Sequence, residues 1–166
     1  MSELIVVREH ITWKVAWRLE KYLGEIRAAS QPYDVVVGEG NLLLNAGGTE
    51  VAKLIVGDGT AVAFSAANAR IGVGDSATAA AVGQTDLQAG ANKAYAAMNA
   101  SYPQVSAQTM SFQADFGTAV ANFAWQEWVI DNKLAAGTKA LNRKVTSLGT
   151  KTSANTWRFG VTITVG

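Results

Sequence analysis

Asn155-Thr-Trp-Arg-Phe-Gly-Val-Thr-Ile-Thr-Val-Gly166 alternates along its whole length. Trp157, Phe159, Val161, Ile163 and Val165 fall on one side, and Thr156, Arg158, Thr162 and Thr164 on the other. A period of two predicts a β-strand with one buried face and one wet face. This last strand is expected to close a sheet.

Moving upstream, the same signal recurs in shorter pieces. Gln108–Phe116 places Met110, Phe112 and Phe116 inward and Thr109, Ser111, Gln113 and Asp115 outward. Phe123–Asp131 carries Trp125 and Trp128, which strict alternation puts on opposite faces, so burial on both faces, or of one face against a partner, is expected. Ala140–Val145 reads as a strand, and Ser147–Ala154 as the polar turn before the last one. Tyr33–Val37, Ala69–Ser76 and Lys93–Ala100 add further short strands. Turns are expected at Tyr102-Pro103, Gly117–Asn122 and Ala136-Gly137. Many short strands with turn signals between them predict a mainly β domain, an antiparallel sandwich or barrel-like unit. Its predicted core holds Phe112, Phe116, Trp125, Trp128, Trp157, Phe159, Val161 and Ile163.

Two segments read as helical. In residues 1–32, Ile11, Val15, Leu19, Leu23 and Ile26 recur at helical spacing among most of the local charge. The spacing predicts a helix from about Thr12 to Ala29, ended by Gln31-Pro32. Residues 1–32 are therefore expected to form an amino-terminal helical arm, with residues 33–166 as the β domain. Ile11, Trp13, Trp17, Leu19 and Tyr22 are the candidates for docking that arm on another subunit. The second predicted helix runs from Leu42 to about Val56, capped by Asn41, with Leu43, Leu44, Val51, Leu54 and Ile55 on one face. Gly47-Gly48 in its middle predicts either a break or a close approach to a neighbour.

Composition narrows the function. The chain has 166 residues, 14 basic against 13 acidic, and a formal charge of +1. That balance leaves no electrostatic footprint for nucleic acid or an anionic membrane. No run approaches the ~20 apolar residues of a membrane-spanning helix. The first residues lack a signal-like apolar core, so export is not expected. There is no cysteine, which excludes disulfides and thiolate metal sites. Charged residues make up 16% of the chain, below the usual ~25%. A surface poor in charge and rich in small residues suits a protein packed against neighbours.

Catalytic patterns are scarce. His10 is the one histidine, so neither a histidine metal cluster nor a histidine triad is expected. Gly38-Glu-Gly40 and Gly72-Val-Gly74 lack the third glycine of a dinucleotide fingerprint and read as turns. Asp58 and Asp75 are expected to cap their own turns. Glu127 is a candidate buried acid, with Arg143 or Lys144 as its partner. Glu127 and Asp131 are the one nearby acid pair on a strand, the minimum for a carboxylate hydrolase. The aromatics would also suit glycan stacking. No cofactor or metal is expected.

A family resemblance emerges from an ordered set of motifs. These are Asn41-Leu-Leu-Leu-Asn-Ala-Gly47, Asn68-Ala-Arg-Ile-Gly-Val-Gly-Asp-Ser76, Gln84-Thr-Asp-Leu87, Phe112–Phe116, Phe123-Ala-Trp-Gln-Glu-Trp-Val-Ile-Asp131 and Leu141-Asn-Arg-Lys-Val145. The set resembles small virion structural proteins of tailed bacteriophages. More distantly it is similar to the amino-terminal collar domain of phage tail fibres, although Val129 stands where that pattern has glycine. The resemblance implies a non-enzymatic virion protein, assembled in the bacterial host cytoplasm and bound to copies of itself and to other virion proteins. Its implied place is the tail, baseplate or fibre-attachment end. Decoration of the capsid surface is the alternative, and host-glycan binding a lesser one.

Overall fold

The computed structural model describes residues 12–133 and 139–166. Among these residues, ten strands and one helix follow in the order β1 (Trp13–Leu23), β2 (Asp34–Glu39), β3 (Leu42–Leu43), α1 (Asn45–Ile55), β4 (Arg70–Gly74), β5 (Lys93–Ala97), β6 (Gln104–Ser106), β7 (Thr109–Phe116), β8 (Ala124–Asp131), β9 (Ala140–Thr150) and β10 (Asn155–Val165). They form two five-stranded sheets, β2-β1-β10-β7-β6 and β3-β9-β8-β4-β5. Every ladder is antiparallel. The two sheets face each other across one core, so the domain is a sandwich, as its alternating strands predict.

β10 follows its alternation over most of its length, the exception being Thr156, expected on the wet face but buried. Trp157, Phe159, Val161 and Ile163 are buried, while Thr162 and Thr164 are exposed. It does not close a sheet, however. It lies at the centre of its sheet, paired with β1 on one side and β7 on the other.

The predicted amino-terminal helix is instead β1. It is hydrogen-bonded to both β10 and β2, so residues 13–23 belong to the sandwich rather than to an arm. The misreading has a simple cause. A four-residue apolar spacing is also a multiple of two, so Val15 and Leu19 satisfy both periods. The deciding positions are Trp13 and Trp17, which share their parity, and Lys14, Ala16 and Arg18 between them, which face out. Residues 24–33 continue as turns and irregular chain.

The sandwich is held by two groups of aromatic rings that bridge the sheets. Trp128 of one sheet meets Phe159 and Trp17 of the other edge-on, at 5.3 and 6.5 Å between ring centres. Trp125 likewise meets Trp157 at 4.7 Å and Phe116 at 4.8 Å. Such edge-to-face pairs add about 0.5–1.5 kcal/mol beyond the area they bury. Trp125 and Trp128 thus point into one core, not to opposite faces as alternation predicts. The reason is a slip in the ladder: Trp125 opposes Gly149, but Glu127 opposes Val145. Such an irregularity resets which side the following residues face.

α1 begins one residue after Leu44, whose N–H bonds to Leu141 O rather than continuing a helix backwards. Asn41 precedes β3 and caps nothing, which corrects the predicted helix start. The close approach foreseen at Gly47 is present: a Cβ there would come within 2.3 Å of the Leu141 carbonyl oxygen. Gly72 and Gly74 are strand residues of β4, not a turn. They leave room for the Tyr95 ring and the Glu127 carboxylate, which a Cβ would meet at 2.7 and 2.5 Å. Gly38, in β2, similarly makes room for the Trp17 indole. The predicted Ala136-Gly137 turn lies outside the described residues.

Candidate assembly interface

The acids that chemistry would need are locked away on the outer face of the β8 sheet. After the ladder slips, Glu127, Val129 and Asp131 share that face, beneath the segment joining β4 to β5. Glu127 accepts from Arg143 Nε at 2.7 Å, with both side chains fully buried. It also accepts from the backbone N–H groups of Gln88 and Ala89, at 3.0 and 2.8 Å. Arg143 in turn donates to Gln84 Oε1 and to the Thr78 carbonyl. One buried ion pair therefore pins residues 78–89 onto the sheet. Of the two expected partners for Glu127 the structure selects Arg143; Lys144 donates instead to the Glu39 carbonyl.

Asp131 forms a forked pair with Arg70, whose guanidinium lies 4.4 Å from the Tyr95 ring centre. Burial pushes the Asp131 carboxyl above its ordinary value, although Arg70 pulls the other way. Burial also drives the Tyr95 phenol far up, helped by its hydrogen bond to Asp86. Glu127 and Asp131 are thus each wholly buried and each held by its own arginine. The geometry provides a clamp, with no open cleft between the two acids.

Other ionic groups hold loops. Glu50 on α1 is fully buried and accepts from Val62 N–H and Lys139 Nζ. Burial raises its pKa, but those two partners outweigh it and hold the carboxyl below its ordinary value. Lys151 is also buried. Its ammonium donates to the carbonyls of Gly117 and Val120 and to Asn122 Oδ1 at 2.7–2.9 Å. Asp58 caps its turn through the Thr60 N–H, as expected, whereas Asp75 bonds to Asn92 across the chain. Among the described residues no three His, Asp or Glu side chains group as metal ligands. Among the same residues no helix is long and apolar enough to cross a membrane.

One large depression open to solvent is apolar. At the end of the sandwich where β1 starts and β10 finishes, the sheets part into a mouth of about 790 Å³. Its floor includes Phe112 and Leu141, its walls Trp13, Leu43, Phe64 and Met110, and its rim α1 and β6. Rim residues Ile55 and Val105 are 79% and 75% exposed. This apolar opening is the candidate contact surface among the described residues.

The eight predicted core residues are all buried, none more than 3% exposed. The predicted docking residues fare differently. Trp17, Leu19 and Tyr22 are buried in this chain's own fold. Trp13 is half-buried and lines the mouth. Ile11 and His10 lie outside the described residues. Sequence reasoning placed Ile55 on the apolar face of a helix and passed over Val105. The available signal was three apolar residues, Leu54-Ile55-Val56, meeting the glycine that ends the helix.

No protein-family model matches this chain, and comparison with curated proteins and with solved structures finds no match.

Proposed function

We propose that this chain is a non-enzymatic structural subunit of a bacteriophage particle, joined to copies of itself and to other virion proteins at the tail, baseplate or fibre-attachment end. The observation that carries the assembly reading is the open apolar mouth with Ile55 and Val105 on its rim. The burial and arginine pairing of Glu127 and Asp131 support a non-catalytic role. The placement in a phage particle rests on the ordered motifs, several of which fall on β4, β8, β9 and the segment pinned across them. Burial of Trp125, Trp128 and Trp157 disfavours glycan stacking on strand tryptophans.

Sedimentation velocity of the purified chain over a range of concentrations tests the assembly. A species that grows with concentration supports it; a monomer throughout overturns it. Densitometry of particles against their major capsid protein tests the placement. A few copies support a tail position, and near-equal copies support head decoration instead. Absence from the particles overturns both.

A further inference from the structure

The mouth opens where the chain enters the fold. Thr12 and Gly166 pair their backbones reciprocally, and the next residues inward, Trp13 and Val165, line the opening. Thr12, to which the preceding residues are joined in sequence, thus lies beside the mouth. Those residues include an apolar run, Leu4-Ile-Val-Val7, rich in β-branched residues that favour extended pairing. Between Val7 and Trp13 the sequence is Arg8-Glu-His-Ile-Thr12, with no glycine, proline, asparagine, aspartate or serine. That stretch lacks the residues that reverse a chain sharply. Return of the run into its own mouth is accordingly disfavoured, and a neighbouring copy is the better acceptor.

The mouth offers what an extended apolar strand needs. β6 is an edge strand with every residue exposed, so its outer backbone groups are free to pair among the described residues. The Trp13 indole N–H has no acceptor among the described residues. Addition of a strand to a sheet edge, with alternate side chains entering a pocket, is a general mode of peptide recognition. We infer that Leu4–Val7 of one copy docks in the mouth of a second copy, along the free edge of β6. This deepens the assembly reading and rests on it. Because the run leaves beside the mouth that accepts it, two copies can exchange runs about a two-fold axis and close as a dimer.

Two full-length variants test the inference. The donor variant carries Ile5→Asp and Val6→Asp, which spoils both faces of the run. The acceptor variant carries Ile55→Asp and Val105→Asp, at rim positions too exposed to disturb folding. Each variant alone should self-associate about tenfold or more weakly than the native chain. Mixed one to one, they should restore a dimer, because each retains the half the other lacks. Matching circular dichroism and melting curves confirm that both fold. If the donor variant associates like the native chain while the acceptor variant does not, the mouth assembles but its occupant is not this segment. If the two variants fail to complement, exchange between copies is likewise overturned. If even the native chain stays monomeric, the assembly reading itself fails.

Discussion

Glu127 and Arg143 meet at 2.7 Å on neighbouring strands, and neither side chain reaches solvent. Removing one member of such a pair strands the other charge in the interior, which costs about 3–5 kcal/mol. Arg143→Met should therefore lower stability by that amount in urea unfolding. It should also loosen residues 78–89, since Arg143 bonds to Gln84 and Thr78 there. The paired replacement Glu127→Leu with Arg143→Leu should recover part of the loss. Full recovery is not expected, because the Gln88 and Ala89 N–H groups would lack their acceptor.

Adjacent glycines in α1 should respond with opposite signs. Helix propensity alone favours alanine over glycine by about 1 kcal/mol. At Gly48 a Cβ meets nothing within 4 Å, so Gly48→Ala should raise stability by up to about that much. At Gly47 a Cβ collides with the backbone of Leu141, which cannot rotate away. Gly47→Ala should lower stability by about 1–3 kcal/mol. Melting curves of the two variants should shift in opposite directions.

Phe159 packs edge-on against Trp17 and Trp128 and is wholly buried. Phe159→Ala should cost about 3–5 kcal/mol. The near-ultraviolet circular dichroism should change with it, since two tryptophans lose their ring neighbour.

The Glu50 carboxylate gives a pH dependence with a definite sign. Its folded pKa lies below the ordinary value of 4.5. Its contribution is thus present above about pH 4.5 and is lost as pH falls through the depressed folded value. Native protein should lose more stability than Glu50→Gln on acidification through that window. Equal losses would show that the ties from Glu50 to Val62 and Lys139 contribute nothing.

The sandwich was legible because β7 and β10 each bury one face against the opposite sheet, and such strands announce their period. Glu127 as a buried, ion-paired acid was legible too, but not which of the adjacent Arg143 and Lys144 faces it, because that depends on how β9 pairs with β8. β1 was not, because a spacing of four is compatible with both a helix and a strand. The side taken by Trp125 relative to Trp128 was hidden for another reason. It depends on how β9 pairs with β8, and β8 alone does not contain that information. Gly72 and Gly74 resemble turn residues locally; their cause is the space required by Tyr95 and Glu127. The mouth was least legible of all, since it is assembled from segments as distant as Trp13, Ile55, Val105 and Val165.

In the proposed assembly, copies of this protein meet at the apolar mouth. Hydrogen–deuterium exchange of the native chain at low and high concentration tests it most directly. Amides of residues 52–56 and 104–106 should become protected as association proceeds, while the exposed turn around Asp58–Thr60 stays unchanged. Association that leaves those mouth amides as open as in the dilute protein would contradict the claim.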